Sequence, residues 1–249
     1  LRLADGTLSR TTFVTDGHDP SWGPGADDLS FVSARSGVLG LYRIRPGGAA
    51  PAESLFASTQ LGYTGIWLQD QSAVVTAGAG LAPDSRTDIG IVRNGGRGPI
   101  DPVVATRFEE QSPALSPDDQ WLAFMSTQSG REEVYVRRLD GTGAQVQISL
   151  AGGTEPVWGP SGQELFYRAT SAGQAELMAA TLQRGPGLSV RSRQALFPVS
   201  DIATATPHNN YDISPDGRTF VMVRLNPASR IMVIQNLPGL VAKLRGNTP

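Results

Sequence analysis

The sequence predicts an all-β fold, a β-propeller of four-stranded antiparallel blades, and three observations lead to this prediction. One ten-residue pattern occurs twice, as SPDDQWLAFM at 116–125 and as SPDGRTFVMV at 214–223. Each copy opens with a turn, because Pro presets one backbone angle and Asp bonds its own backbone. Five residues precede such a turn or its equivalent, at intervals of 45, 48, 43 and 55 residues. Each of the five is followed by side chains at the period-2 spacing of a strand.

We call the residue before each turn the anchor. The anchors are Trp22, Trp67, Leu115, Trp158 and Ile213. Seven residues later stand Leu29, Val74, Leu122, Leu165 and Phe220, and nine residues later stand Phe31, Thr76, Phe124, Tyr167 and Met222. A third apolar run begins 18 to 22 residues after each anchor, and a short fourth run usually follows. Units of four strands spaced by about 40–50 residues are typical of propeller blades.

We predict one domain over residues 1–249, with repeats at roughly 16–60, 61–108, 109–152, 153–198 and 207–237. Residues 1–15 resemble the third-to-fourth strand part of a unit and are predicted to be a partial blade that closes the ring. We expect six blades, and closure into five, with Ser9–Phe13 as the last strand, is the alternative. Either closure removes a free sheet edge. One short helix is predicted at 238–246, and the Gly-rich stretch 78–90 is predicted to be an elongated hairpin loop.

Composition excludes several classes of function. The net charge is −2, so no basic field favours nucleic acid or an anionic membrane surface. No run approaches the roughly 20 apolar residues of a membrane helix, so we expect no direct membrane insertion. The chain has no cysteine, which rules out disulfides, thiolate metal sites and a cysteine nucleophile.

Four segments carry a family resemblance: DPSWGPGADDLSFVS (19–33), SPALSPDDQWLAFMS (112–126), EPVWGPSGQELFYRA (155–169) and YDISPDGRTFVMVR (211–224). They resemble the TolB-like propeller repeat. The tail IMVIQNLPGLVAKL (231–244) is similar to the last blade of propellers at the C-terminus of bacterial Ser/Thr protein kinases. The resemblance implies a non-catalytic sensor or interaction domain, and it favours a periplasmic or extracytoplasmic location over a cytoplasmic one.

The sequence offers little for catalysis. Its two histidines are His18 and His208, and no Gly-x-Ser-x-Gly nucleophile elbow occurs. A phosphate-binding loop is missing too, and Lys243 in the tail is the only lysine. Ca²⁺ needs about six to eight oxygen ligands, whereas Asp27, Asp28, Asp118 and Asp119 are turn formers in this pattern. We therefore expect no cofactor, and calcium in the channel is the alternative.

The tryptophans at anchor positions are predicted to be structural. Trp22, Trp67 and Trp158 share one repeat position, so we expect them to pack between adjacent blades rather than to form a ligand platform. On this basis Trp22→Ala would cost about 3–5 kcal/mol. Trp121 is predicted to be a partly exposed packing residue.

The polar residues before each anchor are the candidate binding site. They stand where the outermost strand of one blade connects to the innermost strand of the next, and in a propeller these connections meet at the channel mouth. The set is His18, Asp19, Tyr63, Glu110, Gln111, Glu155, His208, Asn209 and Asn210. Its acidic members favour a basic or amide-bearing segment as the partner.

We therefore predict a monomeric binding or sensor module that takes a protein or peptide partner, or another ligand, at the channel mouth. Two alternatives remain at this point: the regulatory propeller of a prolyl-oligopeptidase-like peptidase, and a purely structural scaffold.

Overall fold

The computed structural model describes residues 17–23, 27–57, 63–78, 80–171, 173–185, 187–204, 209–224 and 230–234. The strands are β1 (His18–Trp22), β2 (Leu29–Ser33), β3 (Gly40–Ile44), β4 (Glu53–Ala57), β5 (Tyr63–Trp67), β6 (Val74–Gly78), β7 (Asp88–Val92), β8 (Ile100–Val104), β9 (Glu110–Leu115), β10 (Trp121–Ser126), β11 (Glu133–Arg138), β12 (Val146–Gln147), β13 (Thr154–Trp158), β14 (Glu164–Ser171), β15 (Gln174–Arg184), β16 (Leu188–Pro198), β17 (Tyr211–Ile213), β18 (Phe220–Arg224) and β19 (Arg230–Ile234). A single helical turn, α1 (Arg93–Gly96), joins β7 to β8, and Asn94 and Gly95 in it have positive φ.

The strands form antiparallel sheets in which neighbours in sequence are neighbours in space. We number these sheets blades 1 to 5: β1–β4, β5–β8, β9–β12, β13–β16 and β17–β19. The predicted all-β fold with repeated sheets of about four antiparallel strands is confirmed. The blade number, the partial blade at 1–15 and the helix at 238–246 stay predictions, and both segments lie outside the described residues.

The core lies between adjacent blades. The residues seven and nine positions after each anchor stand on the second strand, and Leu122, Phe124, Leu165, Phe220 and Met222 are at most 1 % exposed. At the junction of blades 4 and 5, the rings of Phe166 and Phe220 meet edge to face with centroids 5.0 Å apart. The apolar residues that repeat in the sequence are thus residues that pack between blades.

The anchor tryptophans divide into two groups. Trp67 is buried, and its Nε1–H donates to Ser30 Oγ of blade 1 at 3.1 Å. Trp158 is also buried and donates to the Ala114 carbonyl of blade 3 at 3.1 Å. The prediction of burial was wrong for Trp22, which is 57 % exposed. Trp121, predicted to be partly exposed, is buried.

A bulge recurs in the inner strands. The residue three positions before the anchor has positive φ in four blades, at Asp19, Thr64, Ser112 and Glu155, and the strand register shifts there. Such bulges bend a strand and re-aim its side chains. They therefore control which residues before each anchor face the channel and which turn into the sheet.

Candidate channel site

A cavity of about 830 Å³ lies among the innermost strands of the five described blades. The innermost strand of every blade (β1, β5, β9, β13 and β17) contributes residues to its wall. Each inner strand contributes several consecutive residues, so the wall includes the anchors Trp67, Leu115 and Trp158 beside the residues that precede them. The site is thus built from the same short segment of the repeat, used once per blade.

The middle of the cavity wall is largely apolar. The residue directly before the anchor lines the cavity in all five blades: Ser21, Ile66, Ala114, Val157 and Asp212. Prolines follow the bulge residue in three blades and also line the cavity, at Pro20, Pro113 and Pro156. A wall of short, rigid and mostly apolar groups with few polar ones is typical of a ligand pocket.

Four of the predicted site residues line this cavity. They are His18 and Asp19 of blade 1, and Asn209 and Asn210 at the start of blade 5. His18 Nδ1 lies 2.8 Å from Asp19 Oδ2. The structure brings these side chains to one cavity, and their role in binding stays a prediction. His208 lies outside the described residues.

The residues predicted in blades 2 and 3 are absent from the cavity wall. Glu110 is 1 % exposed. Its carboxylate accepts from the Thr106 backbone N–H at 3.3 Å, the Thr106 hydroxyl at 2.6 Å and the Ser126 hydroxyl at 3.2 Å. Burial raises the pKa of Glu110, against the effect of these hydrogen bonds. Gln111 donates to Thr87 Oγ1 at 3.2 Å, and the backbone of Tyr63 pairs with Ala77 on β6.

Glu155 is likewise buried rather than placed at the mouth. Its carboxylate lies 3.6 Å from Arg168 Nε and accepts from the Asn210 backbone N–H at 2.7 Å. The hydroxyl of Tyr211 donates to the Glu155 carbonyl at 2.7 Å. Burial raises the pKa of Glu155, while Asn210 and Arg168 act in the opposite direction. Glu155 therefore connects blade 4 to blade 5 and holds Asn210, which does line the cavity.

Asp212 is the residue that the sequence reasoning missed. It lies on β17 between buried Tyr211 and the anchor Ile213, and its side chain is exposed to the cavity. Oδ1 accepts from the Ile213 backbone N–H at 2.8 Å, and burial among protein atoms raises the pKa of the carboxyl. The period-2 pattern of the inner strand could have found it, since Asp212 must face away from Tyr211.

A second carboxylate lies near the turn end of the inner strands. Asp119, a turn residue as predicted, lines the cavity and accepts from the Gln69 backbone N–H at 2.7 Å. Burial raises its pKa, and the neighbouring charges of Asp70 and Asp118 act in the same direction. Asp19, Asp119 and Asp212 thus line the cavity together with His18, and the described lining includes no arginine or lysine.

The described residues include no group of three or more His, Asp or Glu side chains placed to hold a metal ion. Within the same ranges, no helix has the length and apolar character that crossing a membrane requires.

Neither a protein-family model nor a curated protein matches this chain. Solved structures do. TolB from Acinetobacter baumannii superposes with a TM-score of 0.69 at 14 % identity, over 88 % of this chain and 52 % of that one. An oligogalacturonate lyase in complex with manganese gives 0.63 at 15 % identity, over 92 % and 65 %. A puromycin-hydrolyzing peptidase from Mycobacterium tuberculosis gives 0.58 at 14 % identity, over 88 % and 36 %.

The chain spans less than two thirds of each of these three proteins. The TM-scores show that the fold is shared, and at identities this low they say nothing about function. In fold, the chain is a β-propeller similar to TolB.

Proposed function

We propose that this chain is a binding module that takes its ligand in the central cavity and performs no chemistry of its own. The observation that carries the proposal is the cavity of about 830 Å³, which lies within the usual range of about 300–1,000 Å³ for ligand pockets. Inner strands from all five blades form its wall, so a rigid scaffold positions the contacts.

The sequence has no Gly-x-Ser-x-Gly nucleophile elbow, which favours binding over hydrolysis of the Ser-His-Asp type. The oligogalacturonate lyase shows that a similar fold also occurs in an enzyme, so activity assays belong beside binding assays.

The finer role that we propose is sensing within a larger bacterial signalling protein, in an extracytoplasmic compartment. This part rests on the resemblance of residues 231–244 to kinase-associated propellers. Ligand binding would then change the assembly or orientation of the parent protein.

A second candidate is the regulatory propeller of a peptidase, and the match to the puromycin-hydrolyzing peptidase favours it. A propeller in that position would gate substrates to a separate catalytic domain. Peptidase activity of the parent protein that falls for large substrates only, when the channel is filled, would support this candidate.

The test of the binding proposal is a thermal-shift screen of peptides and small molecules against a variant with a filled channel. A ligand that binds only the folded state raises Tm. We expect ligands that raise the Tm of the wild-type chain and of Ser189→Trp but not that of Ser21→Trp, because Ser21 lines the cavity and Ser189 is exposed on β16. Ligands that stabilise all three alike would overturn the proposal, as would a complete absence of ligands, which favours a structural scaffold.

A further inference from the structure

The sign of the charge in the cavity sets it apart from the rest of the surface. Elsewhere, arginines pair with carboxylates, as in Arg43–Glu53 at 2.9 Å and Arg138–Asp140 at 2.9 Å. The described cavity lining instead combines three aspartates with one histidine and has no arginine or lysine. A concave surface lined by carboxylates concentrates cations, because the surrounding protein has a low dielectric constant and focuses the electric field of the charges.

Asp212 is the one acidic residue among the five that stand directly before an anchor. It occupies the position that Ile66, Ala114 and Val157 fill in three other blades. Within the described residues it forms no ion pair, and its carboxylate accepts from the backbone N–H of Ile213. Its side chain is exposed to the cavity, so its charge is available to a ligand there.

The residues around Asp212 indicate the chemical character of the rest of the ligand. Facing positions of the same ring present short apolar side chains, and Pro20, Pro113 and Pro156 continue that surface. Such a wall favours hydrocarbon over a strongly hydrated body such as a bare metal ion. The volume accommodates a compact organic molecule or the end of a peptide segment.

We propose that the cavity binds an organic cation, whose ammonium or guanidinium group pairs with Asp212 while its apolar part lies against Ile66, Ala114 and Val157. The inference rests on the proposed function of the cavity as a binding site and specifies its ligand class. The cation comes either from a small amine or guanidine or from a lysine or arginine side chain of a peptide. Both sources present the same chemistry to Asp212.

The test measures dissociation constants by titration calorimetry with two matched pairs of probes. The first pair is phenethylguanidine and its neutral isostere phenethylurea. The second pair is a capped hexapeptide with one central arginine between prolines and the same peptide with citrulline. We expect the cationic member of at least one pair to bind about tenfold more tightly than its neutral partner, since hydrogen bonds to charged groups are worth more than neutral ones. The pair that shows the difference identifies the source.

Two variants locate the effect. Asp212→Asn removes the charge and is expected to abolish the preference for the cationic probe. Asp101→Asn makes the same change on β8, where Asp101 lies outside the cavity beside Arg93, and is expected to leave the preference intact.

Three results would overturn the inference: equal or tighter binding of the neutral probes, a cation preference that survives in Asp212→Asn, or no binding of either cationic probe at millimolar concentration. Should neutral or anionic molecules stabilise the wild-type chain but not Ser21→Trp, the cation inference would fall while the proposed binding function would stand.

Discussion

The junctions between blades and the wall of the channel are built from the same strands, but their polar side chains have different environments. In the junctions, polar groups are buried and partnered: Glu155 lies against Arg168 and Asn210, and Trp158 donates to a neighbouring blade. In the channel wall, Asp212 faces open space among apolar side chains. Tyr211 and Asp212 are consecutive residues: Tyr211 is buried and donates to the Glu155 carbonyl of blade 4, whereas Asp212 is exposed.

This difference implies that stability and binding depend on different residues of the same strand. Residues turned into a junction contribute buried area and hydrogen bonds, so changing them alters the free energy of unfolding. Of the residues that line the channel, Ala114 and Val157 also pack in the core between blades, whereas Asp212 is exposed. Loss of function without loss of stability is therefore expected from exposed channel residues such as Asp212.

The largest expected effect comes from Trp158→Ala, at about 3–5 kcal/mol of unfolding free energy measured by urea denaturation. The indole is 6 % exposed and its N–H is hydrogen-bonded to Ala114 of the next blade. Trp22→Ala removes the same side chain from the same repeat position, where it is 57 % exposed, and should cost less than about half as much. Equal losses from both variants would mean that Trp22 is buried in solution, as its repeat position first suggested.

A smaller loss is expected from Gly65→Ala, where blade 2 approaches blade 1. A Cβ at Gly65 would lie 2.6 Å from Leu41 Cδ1, and Leu41 is fully buried. Overpacking of this kind costs about 1–3 kcal/mol, which a urea midpoint would report. Gly187→Ala is the control, because a Cβ there meets no atom within 4 Å. A Gly65 variant as stable as this control would show that the junction relaxes enough to accommodate the added methyl group.

The smallest effect is a pH dependence from the buried carboxylate of Glu110. Because burial raises its folded-state pKa, its contribution to stability is fully present below the ordinary value of 4.5 and is lost as the pH rises through the folded pKa. Glu110→Gln cannot titrate at this position. The advantage of the wild-type chain over Glu110→Gln in urea melts should therefore shrink as the pH rises above 4.5. An advantage that grows with pH would show that the hydrogen bonds from Thr106 and Ser126 outweigh burial.

The fold could be predicted because its signal repeats. Five anchors with apolar residues at the same offsets require a unit of strands, and period 2 specifies which residues pack at junctions. Burial of an individual anchor could not be read in the same way. It depends on the neighbouring blade, and Trp22 and Trp158 are identical in sequence position but differ in what covers them.

The position of the candidate site residues could be predicted in part. Four of them line the cavity, including Asp19 and Asn209, and their role in binding stays a prediction. Glu110 and Glu155 have the same chemistry and similar spacing, yet both fold back onto nearby backbone and hydroxyl groups. Whether a carboxylate turns outward or inward at a bulge depends on local backbone geometry, which the repeat pattern does not contain. Asp212 was missed because it stands directly before its anchor, whereas the predicted residues stand three to five positions before theirs.

The most direct test of this account measures binding and stability together in three chains: wild type, Phe166→Leu and Asp212→Asn. Phe166 lies at the junction of blades 4 and 5, and the change removes its edge-to-face contact with Phe220. We expect Phe166→Leu to lose about 1–2 kcal/mol of unfolding free energy while its affinity for the preferred cationic probe, phenethylguanidine or the arginine peptide, stays within about twofold. Asp212→Asn should lose about tenfold in affinity while its unfolding free energy stays within about 0.5 kcal/mol of wild type. Two variants that lose stability and affinity together, or an Asp212→Asn chain that binds like wild type, would contradict the separation of scaffold and channel.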